Sequence, residues 1–128
     1  MGDLQFPVFV KLKDCGDVRS FGSLDAMQNW MEPIDVENGE YEAWDRVGVP
    51  LRLAVRQAAA WLIVEPSGAS QPDQLRVAIA EYARVNNVQA DNSALDRGDF
   101  SGALQQISAA IFEKRKGESW WQRLKRRF

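Results

Sequence analysis

The chain has 128 residues, 45% hydrophobic and 27% charged, and its 16 basic and 18 acidic side chains leave a formal charge of -2, which is one domain's worth of polypeptide. It has no histidine and a single cysteine, Cys15, so imidazole-based nucleophile systems, zinc or iron sites built on His or several Cys, and internal disulfides are excluded. No cofactor and no metal is expected, and the composition leans away from an enzyme.

The opening residues, MGDLQFPVFVKLKDC, lack the basic start, apolar stretch and small-residue cleavage site of a signal peptide, and Phe6 stands where a myristoylation signal needs Ser or Thr. The longest apolar run, Ala58 to Val64, is far shorter than the roughly 20 residues that span a bilayer. A soluble cytoplasmic protein is the expectation.

Along the chain, Phe6, Val8, Val10 and Leu12 alternate with Phe9, Lys11 and Lys13, the period of a strand with one buried face. Asp14-Cys15-Gly16-Asp17 reads as a turn and Val18 to Phe21 as the returning strand of a hairpin. Ser23 can cap a helix that carries Leu24, Met27, Trp30 and Met31 at helical spacing until Pro33 ends it. After a link from Ile34 to Gly39, the segments Glu40 to Arg46 and Leu51 to Arg56 alternate as a second hairpin, and Ala60 to Glu65 reads as a further strand. Ser70-Gln71-Pro72-Asp73 has the form of a capping box ahead of a helix with Leu75, Ala78, Ile79, Tyr82 and Ala83 on one face. A short turn is expected at Ser93 to Arg97. Asp99 can then cap a second long helix striped by Phe100, Ala103, Leu104, Ile107 and Ile111, with Gly117 separating a terminal segment.

The order ββαβββαα implies an α+β fold: a five-stranded antiparallel sheet with helices packed on one face and a short basic amphipathic C-terminal helix. Residues 1–113 are read as the domain and 114–128 as a tail. Leu95, Gly98-Asp99-Phe100 and Ala103-Leu104 resemble the junction of a tetratricopeptide repeat over about a third of one unit, without a second copy, and nothing is carried over from it. Arg97-Gly98-Asp99 spells an integrin-type tripeptide, for which helix capping at Asp99 is the simpler role.

Charge is the sharpest signal. Residues 114–128 hold seven bases and one acid, a net of +6, whereas residues 1–113 hold nine bases and seventeen acids, a net of -8. In the tail, the attachment residues are Trp120, Trp121, Leu124 and Phe128, which gather on one helical face, with Lys125 and with Arg123, Arg126 and Arg127, which point elsewhere. Such a face suits an anionic membrane surface, an acidic protein groove or the domain's own acidic body; nucleic acid is the disfavoured partner. Six acids and no base lie between Glu32 and Asp45, without the spacing of an EF-hand loop. No Gly-x-Gly phosphate loop or Ser-x-x-Lys pair occurs.

The residues nominated for partner binding are Glu37, Glu40, Glu42, Trp44 and Asp45, with Trp44 as an aromatic anchor ringed by charge. The reading is a non-enzymatic protein-interaction module. Its size and charge resemble small acidic bacterial proteins that neutralise basic toxins, which makes an immunity-type inhibitor one instance. The alternatives are a peripheral membrane protein held by its tail and a carboxylate- or metal-dependent enzyme.

Overall fold

The computed structural model describes the backbone of residues 4–127 and the side chains of residues 4–116. Strands β1 (Val8–Leu12), β2 (Val18–Phe21), β3 (Tyr41–Trp44), β4 (Pro50–Val55) and β5 (Leu62–Pro66) form one sheet in the order β2-β1-β3-β4-β5, antiparallel at every pairing. The α+β class and the five antiparallel strands are those implied by the alternation in the sequence. Helices α1 (Leu24–Trp30), α2 (Pro33–Glu37), α3 (Pro72–Val85), α4 (Asn92–Asp96) and α5 (Phe100–Arg127) complete the fold. Among the described residues no helix is long and apolar enough to cross a membrane.

The sheet carries helices on both faces. Phe9, Val18 and Trp44 meet Leu75, Ile79, Leu95, Phe100, Leu104 and Ile107 of α3, α4 and α5. On the other face Val8, Val10, Phe21, Ala43, Leu51 and Leu62 meet Met27 and Met31 at α1 and Val36 of α2. The long helices thus share one face, while the short α1 and α2 add a cover on the second. The reason is local to β1: Val8, Phe9 and Val10 are all fully buried, so the alternation seen in sequence understates a strand buried on both sides.

Several details differ from the sequence reading. The link from Ile34 to Gly39 contains α2, started by Pro33, which suits the first helical turn because its missing N–H would be unpaired there anyway. The cap of α3 is Gln71, with no side-chain cap bond; the Ser70 hydroxyl instead donates to the Val47 carbonyl. Helix α5 passes through Gly117 to Arg127 as one element, so the expected boundary between residues 113 and 114 falls inside a helix. Trp30, expected in the core, is 36% exposed and lies against Phe21 and Tyr41. The caps at Ser23 and Asp99 are as anticipated: Ala26 N–H donates to Ser23 Oγ at 3.1 Å and Gly102 N–H to Asp99 Oδ1 at 3.0 Å.

The β3–β4 turn ties the sheet to α3. Asp45 is buried and its Oδ1 accepts from the N–H groups of Val47 at 3.0 Å and Val49 at 2.9 Å, closing the turn from within. Gly48 takes φ +83°, and its carbonyl accepts from Gln71 N–H at 2.8 Å, which seats the start of α3 on the turn.

Candidate functional site

The acidic residues are gathered by pairing between segments distant in sequence. The β1–β2 turn is closed by Leu12 N–H to the Asp17 carbonyl at 2.9 Å and Gly16 N–H to the Leu12 carbonyl at 2.8 Å. After α2 the chain reverses through Glu40 N–H to the Asp35 carbonyl, and Lys13 N–H then donates to the Glu40 carbonyl at 2.9 Å. Because β3 lies next to β1 rather than next to β2, Asp14, Asp35 and Glu40 come to border one shallow depression of about 280 Å³ with Leu12 and Tyr41. Exposed Glu37 follows at the end of α2. We call this the acidic corner.

Tyr41 hydroxyl donates to Asp35 Oδ2 at 3.4 Å. Burial pushes its phenol up; a backbone hydrogen bond at Glu32 opposes this, and the Asp35 and Glu32 charges add to it. At the neighbouring turn a backbone hydrogen bond at Asp17 favours the Cys15 thiolate, but partial burial and the Asp17 and Asp14 carboxylates outweigh it and the thiol is pushed up. Exposed Cys15 is accordingly a poor nucleophile.

The five residues nominated from sequence do not form one patch. Glu37 and Glu40 belong to the acidic corner. Glu42 points to the opposite face of the sheet, where it is the cross-strand partner of Lys11 and lines a groove of about 580 Å³ between the sheet and α3, with Trp44, Pro50, Asp73 and Val77. Trp44 is 4% exposed and belongs to the core under α3, which removes it as a projecting anchor; Asp45 is the internal brace of the β3–β4 turn. Trp120, Trp121, Arg123, Leu124, Lys125, Arg126 and Arg127 lie beyond the described side chains, and Phe128 lies outside the described residues.

Asp14 was missed, and Asp35 was counted in the acid-rich segment without being nominated. Asp35 meets Glu40 through the local reversal after α2, whereas the contribution of Asp14 depends on β1 pairing with β3, a long-range choice with no local signal beyond an acid-rich turn. Among the described residues, the ion pairs are Arg52 with Glu65, Arg76 with Asp96, Arg84 with Glu81 and Arg97 with Asp99; none engages Asp14, Asp35, Glu37 or Glu40. Lys114 donates to the Asn86 carbonyl at 3.2 Å, at the C-terminal end of α3, where a cation suits the helix dipole. Among the described residues no cluster of three or more acid or cysteine side chains has metal-holding geometry. Neither a family model nor a curated protein nor a solved structure matches this chain.

Proposed function

We propose that the chain is a protein-interaction module whose acidic corner takes a basic protein partner. The observation that supports this is the convergence of Asp14, Asp35 and Glu40, from two separate chain segments, on one depression, with exposed Glu37 in the adjoining α2 and no countercharge among the described ion pairs. Surface carboxylates of this kind contribute little to folding, but they raise the encounter rate with a cationic surface and reject acidic ones. A small inhibitor that neutralises a basic toxin is one instance of such a module.

The test is affinity capture from native lysate with wild type, with Asp14, Glu37 and Glu40 all changed to Lys, and with Glu42→Lys alone. The corner reversal is expected to lose a basic partner that wild type and Glu42→Lys both retain. Retention of the same partner by the corner reversal, or its loss with Glu42→Lys, speaks against the corner.

A second reading places the end of α5 on an anionic membrane surface. The helical backbone that runs to Arg127 favours it, because a basic, aromatic segment needs a helical backbone to act as an amphipathic surface anchor. Wild type is then expected to co-sediment with phosphatidylserine vesicles and to be released as salt rises, while a chain ending at residue 117 stays in solution. Equal sedimentation of the two chains would end that reading.

A further inference from the structure

The two edges of the sheet are treated differently. At β5, the bond from Arg56 N–H to the Trp61 carbonyl sets the alternation of the antiparallel ladder, so Leu62, Val64 and Pro66 turn their backbone groups outward. Gln28 of α1 occupies that edge: its Oε1 accepts from Leu62 N–H at 3.1 Å and its Nε2 donates to the Ala59 carbonyl at 2.9 Å. Pro66 has no N–H to offer. This edge is blunted against pairing in the way that edge strands are usually protected.

The β2 edge is not. The bond from Leu12 N–H to the Asp17 carbonyl fixes the phase there, so Val18, Ser20 and, in continuation, Gly22 face outward. Val18 is buried, but Ser20 and Gly22 are exposed, and among the described residues nothing bonds to the outward N–H and C=O of Ser20. Arg19, Ser20 and Phe21 line a cleft of about 450 Å³ along this edge. Trp30 forms one wall, and Ser101, Leu104 and Ser108 of α5 form the other. The guanidinium of Arg19 lies 5.0 Å from the centroid of the Trp30 ring, and among the described residues Arg19 has no carboxylate partner.

We propose that this cleft binds an extended peptide as a sixth strand, one that alternates acidic side chains towards Arg19 and small apolar side chains towards Leu104. Backbone pairing at Ser20 and Gly22 supplies register, and alternate side chains supply selectivity, as in other strand-addition sites. Stacking on Trp30 holds the Arg19 guanidinium in place before the peptide arrives, which lowers the ordering cost of the ion pair. The same Arg19 opposes a second copy of the chain on this edge, because two β2 strands side by side bring like charges together. This surface is separate from the acidic corner and does not rest on it.

The probe is a blocked hexapeptide of alternating valine and glutamate, added to the full-length chain labelled for amide hydrogen exchange. Exchange at Ser20 and Gly22 is expected to slow by about tenfold or more at saturation. Arg19→Glu is expected to weaken binding by about tenfold and to accept the valine-lysine counterpart instead. Methylating the valine nitrogens, which face β2 when the valine side chains lie towards Leu104, leaves charge intact and is expected to abolish binding. The proposal is overturned by an absence of binding at millimolar peptide, by equal binding to Arg19→Glu, by unchanged exchange at Ser20, or by full binding of the methylated peptide. Protection of Ser20 that grows with protein concentration alone would overturn it in favour of self-pairing. Reversal of the acidic corner should leave all these results unaltered, so failure of one reading is distinguishable from failure of the other.

Discussion

Gly48→Ala is expected to destabilise the fold by about 3 kcal/mol, measured as a shift in the urea midpoint at constant slope. Two effects add. The φ of +83° at Gly48 is one that an L side chain adopts at a cost of roughly 1 kcal/mol. A Cβ there would also stand 2.7 Å from the Cα of Pro72 and 2.9 Å from its nitrogen, and these are backbone atoms that can yield only by moving the start of α3, an overpacking cost of about 1–3 kcal/mol. Gly39 separates the two effects: its φ is +68° but a Cβ would meet nothing within 4 Å, so Gly39→Ala is expected to cost only about 1 kcal/mol. Equal losses at the two sites would mean that α3 does not sit on the β3–β4 turn. Because Asp73 and Val77 of α3 line the groove opposite Glu42, the Gly48 variant should also disturb that wall.

Phe9→Ala is expected to cost about 3–5 kcal/mol, the range for emptying a large aromatic from a packed core. Phe9 is 0% exposed and meets the ring of Phe100 edge to face, with centroids 6.3 Å apart and planes at 77°. It packs with Phe100 of α5 in the core between the sheet and the long helices, so the cavity would lie at the junction of two elements rather than within one. The comparison is Phe112→Ala on the same helix. Phe112 is 66% exposed, and its removal is expected to change stability by no more than about 0.5 kcal/mol. Similar losses for both would contradict the placement of Phe9 between sheet and α5.

Much of this architecture is legible from short-range pattern. The strands β1 to β5 follow alternation and turn composition, and the stripes Leu75, Ala78, Ile79, Ala83 and Phe100, Ala103, Leu104, Ile107, Ile111 are the buried faces of α3 and α5. Helix α2 escaped because five residues are too few for a periodic signal. Trp30 escaped for a different reason: helical spacing places it beside Met27 and Met31 without telling whether a neighbouring element covers it, and it stays 36% exposed beside Phe21 and Tyr41.

The candidate surfaces divide along the same line. Splitting a net charge of -2 into an acidic body and a basic end needed nothing but the order of residues, since charge is carried by each side chain wherever the chain takes it. Which carboxylates act together was decided by the pairing of β1 with β3, which joins Asp14 to Asp35 and Glu40 at one corner and turns Glu42 to the other face. Burial of Trp44 and Asp45 was likewise decided by α3 closing over β3 and by the turn that Asp45 braces. Helix and strand periods are set by bonds between near neighbours and are therefore written locally. Sheet order, edge protection and the side of the sheet that each helix covers arise from contacts between residues far apart in the chain, and those exist only once it has folded.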